Sequence, residues 1–314
     1  MKDFLFSFNV VSPLFILMAT GYLARMFNFI SDGFLKEANR FVFRFSLPLM
    51  LFQNIQSNFN IDFSDGSLII FSLVGVSATI LLSALTVPLF VKRRGQRGSM
   101  IQAIYRSNFL IYGIPLATGI YGNEAVSVIS MMMGIMVAFY NVMAVIILSI
   151  YSETGEKFSA KSVIIGIFKN PLILGCLAGM LFGLSGLELP LMLDKPLNDL
   201  AGLAPPLALF IMGGEFKFGR LAGNLVKVIC ASLCRLVLVP AAVIVAAVLL
   251  GMRGLYLAAL LSLFATPAAV AGYIMADNMG CDGELAAQIV VTTTLASSLS
   301  IFLFVYVLRV QGVL

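Results

Sequence analysis

Apolar residues run along this chain in long unbroken stretches, not in the strict alternation of a half-buried strand or the striped pattern of an amphipathic helix. The stretches recur at about 20 residues or more, and short breaks rich in charge, glycine and proline separate them. At 1.5 Å of rise per residue, about 20 residues cross the roughly 30 Å hydrocarbon layer of a bilayer. The breaks predict ten membrane-spanning helices, at 9–27, 35–56, 67–91, 99–121, 124–151, 162–184, 197–214, 223–250, 254–277 and 283–310. A barrel is not expected, because its strands would alternate apolar and polar positions. The first stretch continues through Pro13 to Phe27 with no small-residue cleavage site ahead of a polar segment, so it reads as a spanning helix and not as a signal peptide.

Composition supports the membrane reading. The chain is 60% hydrophobic and 11% charged, where soluble domains carry roughly 25% charged residues. Its mean hydropathy is +1.02. The net charge of +5 does not point to nucleic acid, because the basic residues sit in short clusters between apolar segments. Their distribution instead sets an orientation. Fourteen Lys and Arg, among them Arg25, Arg40, Arg44, Lys92 to Arg94, Arg97, Lys169 and Lys227, fall at one set of helix ends. Four (Lys2, Lys195, Arg253 and Arg309) fall at the other, and Arg106 and Arg235 lie inside predicted helices. Basic loops face the cytoplasm, so both termini are expected outside it, in a multi-pass membrane protein. There is no histidine, no acid in the middle of a span, and no nucleophile paired with a base, so enzymatic activity is not expected. Cys176, Cys230, Cys234 and Cys281 are scattered and read as small packing residues, and neither a metal site nor a cofactor is anticipated.

The two halves share punctuation. At an offset of 158, Pro13-Leu14 and Gly21 align with Pro171-Leu172 and Gly179, and Pro48-Leu49 with Phe52 aligns with Pro206-Leu207 and Phe210. At 152, Val87-Pro88 aligns with Val239-Pro240, and Pro115 with Pro267. Residues 1–151 and 162–314 then form two five-helix repeats joined by a short cytoplasmic linker at 152–161. Five is odd, so the second repeat enters the membrane from the opposite side. Inverted repeats suit transporters, since one plan in two orientations gives two states of similar energy.

Helices 4 and 9 carry breaking sequences, Tyr112-Gly113-Ile114-Pro115 and Ala265-Thr266-Pro267. Proline removes a backbone donor and clashes with the preceding turn, and half-helix N-termini near the midplane would offer amides to an anion. A simple kink is the alternative. Asn108, Tyr112 and Thr266 flank the breaks, and Asn141 lies in the middle of helix 5. An amide at that depth must face protein, whereas Ser and Thr hydroxyls often bond their own helix. Arg235 lies near the centre of helix 8, where it either supplies positive potential or forms a structural ion pair; Arg106 either lines the cavity or snorkels. Basic and amide groups without a buried acid favour an anionic substrate. The candidate site is therefore Asn108, Tyr112, Gly113, Pro115, Asn141, Arg235, Thr266 and Pro267.

The run from Asn108 through Tyr112-Gly113-Ile114-Pro115-Leu116 to Tyr121-Gly122 resembles the first crossover of the auxin efflux carrier family, which includes PIN-type auxin exporters and bacterial organic-acid permeases. Pro48-Leu49, the Arg235 to Pro240 stretch and the Pro267 region are similar to the same family. The resemblance implies an all-α protein of two inverted repeats, with helices 4 and 9 crossing at the substrate site. It also implies elevator-type transport, frequent homodimers, and a role for Asn108 in holding a substrate carboxylate. The short central loop favours a bacterial inner-membrane carrier of a small organic anion. The alternative is a sodium-coupled symporter similar to the bile-acid transporter family, for which the nearest acid is Asp277, ten residues past Pro267.

Overall fold

A computed structural model describes residues 2–58, 66–153, 169–187, 189–216 and 218–314. In the first half, the helices are α1 (Lys2–Met26), α2 (Asp32–Phe41), α3 (Leu47–Asn58), α4 (Gly66–Phe90), α5 (Arg94–Tyr105), α6 (Phe109–Tyr121) and α7 (Ala125–Tyr151). In the second they are α8 (Pro171–Ser185), α9 (Leu191–Gly202), α10 (Ala204–Glu215), α11 (Phe218–Leu233), α12 (Val239–Leu249), α13 (Leu255–Phe264), α14 (Val270–Asn278) and α15 (Gly283–Val310). Two π turns, Val42–Ser46 and Cys234–Leu238, join α2 to α3 and α11 to α12. Among the described residues there is no β-strand, only an isolated antiparallel bridge between Ser107 and Ala268.

Five helical runs among the described residues are long and apolar enough to cross a membrane: Gly66–Phe90, Val128–Tyr151, Leu191–Glu215, Gly223–Leu249 and Gly283–Val310. Shorter apolar helices, such as Pro171–Ser185 and Leu255–Phe264, accompany them. Their outward faces carry Ile70, Leu81 and Leu85 on α4 and Val245 and Leu249 on α12, all exposed. Water would penalise such faces, whereas hydrocarbon accepts them. The linker and the start of the sixth predicted span, at 154–168, lie outside the described residues.

Lipid gives apolar helices little reason to associate, so their contacts depend on close backbone approach. Gly21 on α1 lies so near the Phe210 carbonyl of α10 that a Cβ would overlap it. Gly179 on α8 approaches the Phe52 carbonyl of α3, where a Cβ would lie 2.8 Å from the oxygen. These are the two pairs that the offset of 158 exchanges with each other. Small residues thus pack α1 on α10 and α3 on α8. A second group of helices, α4 to α7 and α11 to α15, carries the interrupted segments.

Helix 9 is interrupted at Ala265–Ala269, around Pro267, as expected. Helix 4 is not interrupted at Pro115. That residue sits inside α6, and the break falls at Arg106-Ser107-Asn108, two turns earlier. The reason is physical. A proline removes one donor, and a helix in a bundle tolerates that loss. The 106–108 segment instead finds partners in the other half. The Asn108 N–H bonds the Pro267 carbonyl at 2.8 Å and the Ala269 N–H bonds the Arg106 carbonyl at 3.1 Å. The bridge sets Ser107 against Ala268. Helix 7 likewise begins at Leu191, earlier than 197, and is stepped at Leu203.

Candidate functional site

Where two helices break and cross in a membrane, four helix ends expose backbone groups that must find partners. The C-terminal ends of α5 and α13 meet Arg235, which is fully buried in the π turn of helix 8. Its Nε donates to the Thr266 carbonyl at 2.9 Å. Nη1 donates to Ile104 and Tyr105 at 3.2 and 3.1 Å, and Nη2 to Leu263 and Phe264 at 3.2 and 3.0 Å. A guanidinium has five N–H donors, and here five carbonyls take them. The cation also sits at the negative ends of two helix dipoles. Among the described residues no carboxylate lies within ion-pair distance of it, so the structural ion pair is not formed there.

The N-terminal ends of α6 and α14 meet a cavity instead. Its wall includes Phe109, Ala269, Val270 and Ala271 from those ends. Neither helix has a side-chain cap at its start. The polar end of the cavity is Arg106, Ser107, Asn108, Tyr140 and Asn141, and the rest is apolar, including Leu47, Met50, Leu51, Val137 and Leu172. Arg106 Nη2 donates to Asn141 Oδ1 at 2.8 Å, and Nη1 lies 2.5 Å from the Met275 sulfur. With its amide turned to suit both neighbours, Gln102 also accepts from Arg106 Nη1 at 3.2 Å. Asn141 in turn donates to the Val137 carbonyl at 2.7 Å, so both ends of its amide are used in holding the guanidinium. Ser107 and Tyr140 share a hydroxyl bond of 3.2 Å.

Two features of this end are unbalanced. Arg106 is only 5% exposed, yet no carboxylate among the described residues lies within ion-pair distance of it. The Asn108 Nδ2, equally buried, has no hydrogen-bond partner among the described residues. Buried cations and amides are costly unless paired.

Of the residues singled out from sequence, Asn108 and Asn141 are brought together on the cavity wall. Tyr112 and Gly113 lie in α6 away from that wall, Pro115 is within the same helix, and Arg235 is behind the crossing. Thr266 and Pro267 contribute carbonyls to the crossing, one to Arg235 and one to Asn108. Arg106 faces the cavity, so it does not snorkel. Ser107 and Tyr140 were not anticipated. The signal for the first was present, since Arg106-Ser107-Asn108 is a run of three polar residues inside an apolar span. Asp277 is remote from the cavity: its carboxylate accepts from Asn39 at 2.8 Å and lines a separate chamber.

A family model described as membrane transport protein matches residues 6–305. The chain belongs to this family, that of the auxin efflux carriers. An uncharacterized transporter of Methanocaldococcus jannaschii is 27% identical over 96% of this chain and 98% of its own length. Another, from Methanothermobacter thermautotrophicus, is 24% identical over 97% and 99%. Auxin efflux carrier component 8 of Arabidopsis thaliana is 32% identical over 39% of this chain and 36% of its own. Membership of this family, with the long apolar helices, makes the chain a multi-pass membrane transporter.

Proposed function

We propose that this transporter carries a small organic carboxylate, bound in the central cavity against Arg106 and Asn108. One observation carries the reading: a buried guanidinium and a buried amide line the same cavity, and among the described residues the first has no carboxylate partner and the second no acceptor. An anion would supply both deficits, and the uncapped first turns of α6 and α14 would add amide donors. The single cationic end and apolar walls suit one carboxylate on an apolar body. Asn141 positions Arg106, and Arg235 holds the crossing that carries them.

The mechanism proposed is elevator-type alternating access. The ten spans would form two inverted five-helix repeats, a reading supported by the exchangeable pairs Gly21–Phe210 and Gly179–Phe52. Helices α1 to α3 and α8 to α10 would be the scaffold, and the second group, with the crossing, would move. The basic helix ends would face the cytoplasm and both termini the outside of a bacterial inner membrane, with homodimers formed as in the family resembled.

Thermal stability of the purified protein against a panel of carboxylates tests the site, since a ligand of the folded state raises the apparent melting temperature. A charge-assisted bond contributes about 1.5–3 kcal/mol, so Asn108→Ala should weaken the best carboxylate by roughly ten- to a hundredfold. Arg106→Gln should weaken it further. Carboxylate affinity unchanged in both variants would remove the site from this cavity.

A further inference from the structure

The central cavity adjoins a wide pocket at one end, its open end, and only a narrow one at the other, its shut end. It shares Met50, Ile111 and Pro205 with a pocket that also contains Gln53, Asp194 and Asn198. It shares no residue with the chamber at the opposite end, to which Arg25, Lys36, Glu215 and Asp277 contribute; the narrow pocket shares Arg106 and Ala269 with the cavity and Tyr273 with that chamber.

Hydrogen bonds differ between the two ends in the same sense. At the shut end, Asn39 of α2 is 2% exposed and all its described side-chain partners lie on α14. Its Nδ2 donates to Asp277 Oδ2 at 2.8 Å and lies 3.5 Å from the Tyr273 hydroxyl. Its Oδ1 accepts from Asn278 Nδ2 at 2.7 Å. The Tyr273 hydroxyl donates to Glu215, the last residue of α10. Every one of these bonds joins α14, which begins at the crossing, to α2 or α10. At the open end, the described bond from Gln53 Nε2 to Asp194 Oδ1, at 3.2 Å, stays within the α1–α3 and α8–α10 group.

We propose that Asn39 and Glu215, bonded to Tyr273, Asp277 and Asn278, form a latch that holds the cavity shut at the Asp277 end and must release before it opens there. This rests on the two groups of helices moving past each other, as proposed above. The chemistry of the latch suits reversible release. Two carboxylates, two amides and a phenol parted in hydrocarbon would each remain unsatisfied at high cost. Here the adjoining chamber, lined by Glu215, Tyr273 and Asp277, can admit water to these groups as they lose their partners. Asn39 and Tyr273 are buried in the latch, whereas Asp277 and Asn278 are already exposed, so water can reach the bonds from that side.

Labelling of a single cysteine tests this without a substrate. In full-length protein lacking Cys176, Cys230, Cys234 and Cys281, Ala271→Cys places the reporter on the cavity wall. An impermeant maleimide is applied to each face of oriented vesicles. Asn39→Ala should raise labelling from the Asp277 face by about tenfold over the parent, through a shift in population. Asn39→Cys with Asn278→Cys, oxidised before the reporter is exposed, should abolish labelling from that face, leave labelling from the other, and recover with reductant. Failure of that pair to oxidise would place the residues apart in the membrane and overturn the latch. So would a parent that labels from both faces in a ratio that neither variant changes, and in that case the moving-domain reading would stand. Labelling from one face alone in every variant would refute the motion itself, and the latch with it.

Discussion

A buried arginine has to spend its charge on something, and the two in this protein spend it differently. Arg235 gives all five donors to helix-end carbonyls. Lysine offers three donors from a point and cannot reproduce a planar fork. At least two carbonyls would then lose their partner, at about 1–3 kcal/mol each. Arg235→Lys is expected to lower the melting temperature of the detergent-solubilised protein markedly, by circular dichroism or a thiol-reactive dye. Ligand affinity per folded molecule should change far less than in Arg106→Gln. Equal effects of the two substitutions on affinity would merge the roles separated here. Sequence places both arginines inside predicted helices, but it cannot divide these roles. The division depends on a crossing contributed by residues more than a hundred positions apart, and Arg106 is paired with Asn141 only once α7 packs beside α5. Asn108 was legible alone, because an amide in the middle of an apolar span has few uses other than a polar interior.

At the level of elements, the apolar runs mark the helices well, because length and continuity are local properties. Breaks are less local. Pro115 looks like the strongest breaker in helix 4, yet it is accommodated in α6, while three ordinary residues upstream leave helical geometry because Pro267 and Ala269 pair with them. Proline chemistry is written in one residue; the pairing that opens a helix is written in two distant ones. Pro115→Ala returns an N–H to the Ile111 carbonyl one turn back and should be neutral to slightly stabilising. Flux in proteoliposomes should stay within about twofold of the parent, since the break does not rely on this residue. A loss comparable to that of Asn108→Ala would restore Pro115 to the crossing. The π turns escape sequence reading for the same reason: nothing within Cys234 to Leu238 demands one until Arg235 must reach two helix ends at once.

For the molecule as a whole, the basic clusters give an orientation that one measurement can check. Lys92 lies between α4 and α5, beside Arg93, whose guanidinium is 3.3 Å from Glu153, and Arg94, which donates to the Ile150 carbonyl at 2.6 Å. A cysteine at Lys92 in a cysteine-free background should resist an impermeant maleimide in intact cells and react in inside-out vesicles. The reverse result would invert the proposed topology. The alignment of the halves at 158 was readable in the sequence and coincides with the two glycine approaches. At 152 the sequence aligns Pro115 with Pro267, of which only Pro267 lies in a break. Leu-rich helices offer many near matches, and only contact geometry selects among them.

The two backbone bonds of the crossing, from Asn108 to Pro267 and from Ala269 to Arg106, have a consequence for how protons leave the main chain. Irregular backbone beside a water-sized opening is ordinarily the first to trade its amide hydrogens for deuterium. Here the Asn108 and Ala269 amides can exchange only if both broken helices part together, which also strips Arg235 of its carbonyls. In heavy water these two hydrogens should outlast those of regular turns at the helix ends, so that the most broken place in the fold would be among the last to exchange.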